Sequence, residues 1–456
     1  MRRIALFAML VAGCTKSVNQ CETDADCKNP AYPFCDVNGE FAPSDGEKNI
    51  CTIVPPDCPV ERCGCTPGAT SCGSDTLTVC NADGMSQTMT TCEVGCEADA
   101  TACQTFVPSN GLGPSLAGAA TLPSLVIPDG AKIDTDTGVV TASDGTVVHD
   151  GSVSSLVTFG SISIRVFAAP TLTLQSVKVT GTNPIAFVAA TTIELDGLVD
   201  VSADGSNAGP GAAPPTSSAN ASTLMIVECN ICAAQGAGGG GNAIAGGIGG
   251  GGLVVAGSGA GSGGSPETGF ELVGGGSGGT MIGEPSPNPD VYYVGGAGGG
   301  AIQLVAGSKI TLAGIVNAGG GGGQSGFAGG GGAGGLVIVE TPVLSIGATG
   351  GIAANGGGGA GDTYNGGDGT PDDVAAPGGG SAGDSVEYFG GNGGIATSTV
   401  TDLAAGEDLP KSGGGPYGGG GGSVGRARIA TYDGTFTQDP SATMSVALTM
   451  GMLTTQ

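Results

Sequence analysis

Tryptophan is missing from this chain of 456 residues, and histidine occurs once, as His149. A single imidazole excludes zinc sites built on several His and leaves little room for Ser-His-Asp or Cys-His catalysis. Basic residues are also scarce. Lys and Arg number 13 against 40 Asp and Glu, for a net charge of −27. Such a chain is repelled by nucleic acid and by anionic membrane patches. Beyond the first residues no apolar run approaches the length of a membrane-spanning helix.

Glycine is what the chain has in excess: 94 residues, about three times ordinary usage. No G-X-Y period runs through it, which excludes collagen. Val, Ile and Leu recur between the Gly runs, unlike the composition of a disordered chain. Matches to G-x-G-x-x-G are frequent at this Gly content. None has the strand, helix and Lys-Ser/Thr setting of a phosphate cradle, so no nucleotide is expected.

The start reads Met1-Arg2-Arg3, an apolar run from Ile4 to Ala12, then Gly13-Cys14. A basic start, a short apolar core and small residues before a cut are the marks of a secretory signal, here 1–13. Val11-Ala12-Gly13-Cys14 resembles the bacterial lipobox. That resemblance implies cleavage before Cys14 and lipidation of Cys14, with 14–20 as a tether holding the protein on the membrane. An ordinary signal peptide with an accidental Cys at the cut is the alternative. Cleavage removes Arg2 and Arg3 and no acid, taking the charge from −27 to −29. Thr15 stands where an Asp would mark inner-membrane retention in enteric bacteria. The implied address is the cell envelope, on the outer membrane, with the cell surface as the further option.

Removing Cys14 from 15 Cys leaves an even set, as an exported disulfide protein should have. Cys21, Cys27, Cys35 and Cys51 form one group, in a module spanning 21–55. Cys58, Cys63, Cys65, Cys72, Cys80, Cys92, Cys96 and Cys103 form a second, in 56–105. Cys229 and Cys232 stand apart. Each group is even, so local pairing is expected, and the partners stay open. These modules are too short and too poor in apolar residues to hold a core, and bridges must replace burial. Zinc is the rival for the clusters, and a redox role is the rival for Cys229-Asn-Ile-Cys232. Oxidising export and the lack of His favour plain disulfides. Both modules resemble small Cys-rich repeats that head secreted proteins of myxobacterial type.

After a Pro/Ser/Gly linker at 106–124 the composition changes. Ile164-Arg-Val-Phe-Ala-Ala-Pro-Thr-Leu172-Thr-Leu174 aligns with Ile185-Ala-Phe187-Val-Ala-Ala-Thr-Thr-Ile193-Glu-Leu195 at an offset of 21. The same frame returns at Ile302-Gln-Leu304 with Ile310-Thr-Leu312, and at Leu336-Val-Ile338 with Leu344-Ser-Ile346. Short strands that repeat at fixed phase cannot bury an apolar face alone, but stacking does bury it. The expected fold is all-β: a right-handed parallel β-helix over 125–456 with glycine-rich loop insertions, preceded by the small disulfide-rich region. Eight to twelve coils would give a rod about 40–60 Å long. Gly425-Arg-Ala-Arg428 reads as the last coil, and the tail from Asp433, with Met444, Val446, Leu448 and Met450, as a cap. Residues 236–425, which carry the later insertions, hold 71 of the 94 Gly, and the G-G-x-G-G spacing favours packing over free loops. This body resembles glycine-rich β-helical surface proteins, including lipoproteins of myxobacterial type and, more loosely, glycine-rich mycobacterial surface proteins.

Several residues invite a chemical reading. Glu194, Asp196, Asp200 and Asp204 fall at even spacing, as an outward acidic face would. Their counterparts in the next matched coil are Thr311, Ala313 and Asn317, so no carboxylate pair of the glycosidase kind is built. Gly358-Gly-Ala-Gly-Asp362-Thr-Tyr-Asn-Gly-Gly-Asp368-Gly resembles the calcium nonapeptide of repeat toxins, one residue short and without tandem repeats. Asp372, Asp373 and Asp384 add charge nearby. The basic residues of the body, Lys132, Arg165, Lys178, Lys309, Lys411, Arg426 and Arg428, form no visible cluster. His149 reads as an exposed turn residue. Tyr292-Tyr293 and Tyr388-Phe389 interrupt Gly loops, where they either stack on sugars or pin the loops. No catalytic residue, metal residue or cofactor is expected, with calcium as the one exception considered. The expectation is a non-enzymatic envelope lipoprotein with a structural or adhesive role toward glycan, matrix or cells. A polysaccharide-active enzyme and a calcium-dependent adhesion module are the alternatives.

Overall fold

A computed structural model describes residues 21–28, 34–37, 48–52, 65–212 apart from 74, 83, 85, 98 and 100, then 215, 225–226, 236–250, 269–282, 292–325, 329–361, 363–380, 389–397 and 418–456. The chain divides into a unit of Met1–Thr105 with Gln456, and a unit of Phe106–Thr455. Cys14, Cys58, Cys63, Cys229 and Cys232 lie outside the described residues.

The first unit is held by sulfur. β1 (Phe34–Asp36) and β2 (Ile50–Thr52) pair antiparallel, bridged by Cys21–Cys35 and Cys27–Cys51. β3 (Thr70–Gly73), β4 (Thr76–Cys80) and β5 (Gln87–Thr91) form an antiparallel sheet with Cys65–Cys80, Cys72–Cys96 and Cys92–Cys103 around it. Its buried apolar residues are chiefly these cysteines, Cys21, Cys35, Cys80 and Cys92, with Val94 beside them.

The second unit is a stack of parallel strands that return in phase. It opens with β6 (Leu125–Ile127) and β7 (Ala131–Asp134), followed by the antiparallel excursions β8 (Val139–Thr141), β9 (Val147–Asp150) and β10 (Ser154–Phe159). Five complete passes follow. They are β11 (Ile162–Leu174) with β12 (Val177–Thr180), and β13 (Ile185–Leu195) with β14 (Val199–Asp200). Beyond three short Gly-loop strands, β15 (Met225–Ile226), β16 (Met281–Ile282) and β17 (Tyr292–Tyr293), come β18 (Ala301–Ala306), β19 (Lys309–Leu312) and β20 (Ile315–Asn317). Then come β21 (Leu336–Glu340), β22 (Val343–Ile346) and β23 (Gly351–Ala353), and β24 (Arg426–Thr431), β25 (Thr437–Gln438) and β26 (Thr443–Ser445). β27 (Ala447–Met452) begins one more.

Each strand pairs in parallel with its counterpart one pass later. Alternation turns every second side chain inward. The inward rows are therefore ladders: Phe167–Phe187–Leu304–Val339–Ile429 on one face, Leu172–Ile193–Ile310–Leu344 on the next, Val177–Val199–Val316–Ile352 on the third. All of these are buried in one core, and the Phe167 and Phe187 rings stack at 5.7 Å. Each such side chain contributes about 1.5–3 kcal/mol by leaving water.

The structure corrects the sequence reading at four points. The stack holds five complete passes, and with the partial rungs of β6 and β27 spans six gaps, about 30 Å, because the Gly insertions leave it and build a body of their own. The first offset is 20 from Arg165↔Ile185 to Ala169↔Ala189, and becomes 21 only from Thr171↔Thr192. There Ala190 and Thr191 oppose the single Pro170, whose missing N–H suits it to a bulge. The span 106–124 is no free linker. Helix α1 (Gly113–Ala119) packs on β11 and β13, Leu112 and Ala119 are buried, and Val107 N donates to Thr454 O at 2.8 Å. It lies there because the outward side chains of that face, Ala186 and Val188 among them, are apolar and must be covered. The tail after Asp433 adds strands and no lid; Leu448, Met450 and Met452 on the last rung remain 41%, 39% and 65% exposed.

The Gly insertions leave after β14, β20 and β23 and re-enter at β18, β21 and β24. Their backbones bond in a three-residue rotation. Gly329, Gly332 and Gly335 donate to the carbonyls of Gln324, Gly321 and Ala318; Gly330 and Ala333 donate to Gly279 and Gly276; Gly331 and Gly334 donate to Gly420 and Ser423. One chain thus serves three neighbours in turn, as an extended helix of three residues per turn does. The lattice Gly are buried. A Cβ on Gly332 would stand 2.5 Å from the carbonyl carbon of Ala297 and closer still to its oxygen. Only chains without Cβ can lie this close, so the Gly content is a packing requirement.

Candidate functional site

Each lattice excursion has a root at the strands and a far end. At the root, Asn242 donates to Gly334 O and Gly335 O at 2.6 and 3.1 Å, while its oxygen accepts from Arg426 Nε at 2.7 Å. Asn355 likewise binds the carbonyls of Thr370 and Asp372 at 2.9 and 2.8 Å. The far end gathers loops remote in sequence. Gln324 N donates to Val294 O at 3.1 Å, directly after β17. Ser325 N donates to Asn365 Oδ1 at 2.8 Å, and Tyr364 N to Gly380 O at 3.2 Å. The Phe389 ring packs over Gly380, where a Cβ would lie 3.3 Å away. Tyr364 and Phe389 are 55% and 37% exposed. The backbone of Tyr292–Tyr293 reaches the same end, paired with Met281–Ile282. Tyr388 lies outside the described residues. The arrangement is a set of aromatic faces on a support whose backbone donors and acceptors are already engaged. It offers stacking surface.

The acidic positions go separate ways. Asp200 meets Lys178 Nζ at 2.9 Å and accepts from Asn317 Nδ2 at 3.1 Å. Asp204 closes a turn with Asn207. Glu194 has Thr173 and Thr311 as its register neighbours, and both Glu194 and Asp196 face water. In the nonapeptide-like stretch Asp368 Oδ1 accepts from Gly205 N at 3.0 Å and Gly322 N at 2.7 Å. That carboxylate ties two lattice chains together. Asp362 and Asp384 lie outside the described residues, as does Lys411. Asp372 accepts from Val374 N at 2.9 Å and from the Thr370 hydroxyl. The described cysteines that cluster are committed to disulfides. His149 sits in strand β9, half-buried, where a turn was expected, because β9 pairs with β8 to extend the first face of hairpins.

A polar cluster that sequence reasoning missed lies on the outward side of β18, β21 and β24. Glu340 Oε2 accepts from Ser109 N at 3.0 Å and Gln303 Nε2 at 2.8 Å, and Oε1 faces Arg428 Nη1 at 3.5 Å. Gln303 Oε1 accepts from Asn110 Nδ2 at 3.0 Å. Arg426 and Arg428 both lie 5.6 Å from the Phe270 ring. Burial pushes the Glu340 carboxyl above its ordinary pKa, outweighing the Ser109 and Gln303 donors and Arg428. With Glu340 and Gln303 buried under residues 109–110, the cluster fastens the 106–124 segment to the stack. Its only sequence signal was polar residues at outward phase inside otherwise apolar strands.

No protein family, curated protein or solved structure matches this chain.

Proposed function

We propose that this chain is a lipid-anchored cell-envelope protein, held at Cys14, whose body is a right-handed parallel β-helix and whose role is structural or adhesive rather than enzymatic. The right hand follows from the chirality of parallel crossovers. The observation that carries the role is the far end of the Gly lattice. Tyr364, through its backbone, and Phe389, through its ring, both meet Gly380, and both are exposed on a support fixed by backbone hydrogen bonds. Rigid aromatic faces suit the flat faces of glycan rings in a matrix or on another cell. The enzyme reading would draw on Glu340 and Arg428, but the Glu340 carboxylate is buried and engaged by Ser109 and Gln303, which favours a fastening role. The calcium reading loses Asp368, whose oxygen is taken by two amides.

The test is a glycan-binding and cell-adhesion assay on the protein and on Tyr364→Ala/Phe389→Ala. Loss of binding at least tenfold, with unchanged circular dichroism, supports the reading. Full binding by the double variant would place recognition elsewhere on the surface.

A further inference from the structure

A second feature lies at the other end of the unit, remote from the lattice. Between the close of the 106–124 segment, β9–β10 and the outward side of β11 is a cavity of about 540 Å³. That is within the size range of small-molecule sites. Its walls are carbon: Leu122, Pro123 and Leu125 on one side, Val153 on another, Val166 and Ala168 as the floor. Five lining residues are polar, Ser124, His149, Ser152, Ser154 and Ser155, and Ser152 is engaged with Asp150. Ser124 Oγ accepts from Thr171 Oγ1 at 2.8 Å, and Ser154 Oγ donates to Gly151 O at 2.9 Å, so both are engaged within the protein. Among the described residues no hydrogen bond reaches the His149 ring or the Ser155 hydroxyl, and both line the cavity. A dry-walled hollow with one imidazole and one hydroxyl unpartnered in its wall can orient a ligand that is apolar along its length and polar at one end.

The sign of that polar end follows from the next residue. Asp150 follows His149 and accepts from Ser152 N at 3.1 Å. Hydrogen bonds from Ser152, side chain first, hold its carboxyl below the ordinary range, so it is ionised at neutral pH. Asp150 is exposed and outside the cavity lining, so its charge lies in solvent next to the mouth, where it disfavours the approach of an anionic head. We infer that the cavity between residues 122–125, β9–β10 and β11 binds a neutral single-chain amphiphile, its aliphatic body against Val166 and Ala168 and its hydroxyl or ester head on His149 and Ser155.

Having one His makes the test direct, because the imidazole carbon-bound proton gives one NMR signal per molecule. The full chain is titrated with 1-decanol, with decanoate, and with 1-decanol after Ala168→Leu or Ser155→Phe, which fill the floor and the mouth. A saturable shift of the His149 signal with 1-decanol is expected, at least tenfold weaker with decanoate and in both variants. Circular dichroism confirms that each variant is folded. Absence of a shift up to the solubility limit overturns the site. So does a non-saturating shift, or one unchanged in both variants, which would mean adsorption on exposed Leu156 and Phe159. Tighter decanoate binding overturns the neutral class. A mass that rises with protein concentration and falls with 1-decanol would assign the face to a second copy and overturn the small ligand.

Discussion

Replacing one lattice glycine by alanine should cost several times what ordinary helix propensity would suggest, and with the opposite sign. Gly332 is the sharpest position. Its N–H donates to Gly321 O at 2.8 Å and its C=O accepts from Gly357 N at 2.8 Å. The new methyl would overlap the Ala297 carbonyl, which belongs to a third chain, so relief in one direction closes contact in another. Displacing the chain strands at least one donor and one acceptor in a dry interior, at about 1–3 kcal/mol each. Alanine recovers about 0.4–1 kcal/mol by restricting the unfolded chain. The net expectation is a loss of about 1–5 kcal/mol. Gly118 is the control: it lies in α1 with nothing within 4 Å of an added Cβ, so Gly118→Ala should stabilise by up to about 1 kcal/mol. Urea unfolding of both variants, followed by far-ultraviolet circular dichroism, gives the two differences. If Gly332→Ala falls within about 0.5 kcal/mol of Gly118→Ala, the lattice is not the close-packed array its hydrogen bonds describe.

Further expectations concern charge, sulfur and address. Burial raises the Glu340 carboxyl, so the folded state keeps that proton to higher pH than the unfolded chain, and this group's contribution to stability falls as pH rises from about 4 toward its folded value. Glu340→Gln removes the fall; its stability relative to the parent protein should climb as pH rises through and above the ordinary carboxylate range, and a gap that stays flat in urea titrations would refute the assignment. Reductant should unfold the Cys-rich unit, where bridges over loops of this size contribute about 3 kcal/mol each, while the strand spectrum of the second unit persists; joint collapse would show that the two units do not fold separately. Cys14→Ser should move the protein from membrane to soluble fractions, and unchanged retention would remove the anchor.

The strands were legible because their signal is local. Ile193-Glu-Leu195 or Ile310-Thr-Leu312 alternates within three residues, and burial of one face follows directly. The return of the frame at Ile310 and Leu344 revealed the stacking, since identical phase is what parallel pairing needs, whereas the match of Ile302 with Leu336 is one residue out: Ile302 pairs with Val337 and Leu336 with Ala301. The bulge opposite Pro170 was hidden because an offset counted on apolar residues absorbs one extra residue at a turn. The Glu340 cluster was hidden for a different reason. Asn110, Gln303, Glu340 and Arg428 come together only when excursions of unequal length are closed, and nothing near any one of them names the others. The far-end aromatics were visible as interruptions in Gly runs. Their convergence was not, because it depends on the lattice register at Gly380 and Gln324.

The lattice needs the stack for an energetic reason. Each ordered residue costs about 1–2 kcal/mol of backbone entropy, most of all for glycine. A backbone hydrogen bond returns about 0.5–1.5 kcal/mol net, and glycine has no side chain to bury. A free polyglycine bundle of this kind would therefore sit near or below balance. Here the excursion from Ala318 to Gly335 starts and ends on strands of the apolar core, as does the one from Ala354 to Gly425. With both ends fixed in register by β20–β21 and β23–β24, part of the closure cost is already met by burial of residues such as Val316, Val337 and Ile352. Asn242 and Asp368 then tie neighbouring excursions at named carbonyls and amides, and Asn355 fastens its own excursion at the root. The strand stack is thus the template on which a side-chain-poor lattice becomes rigid enough to hold its far-end aromatics in one place.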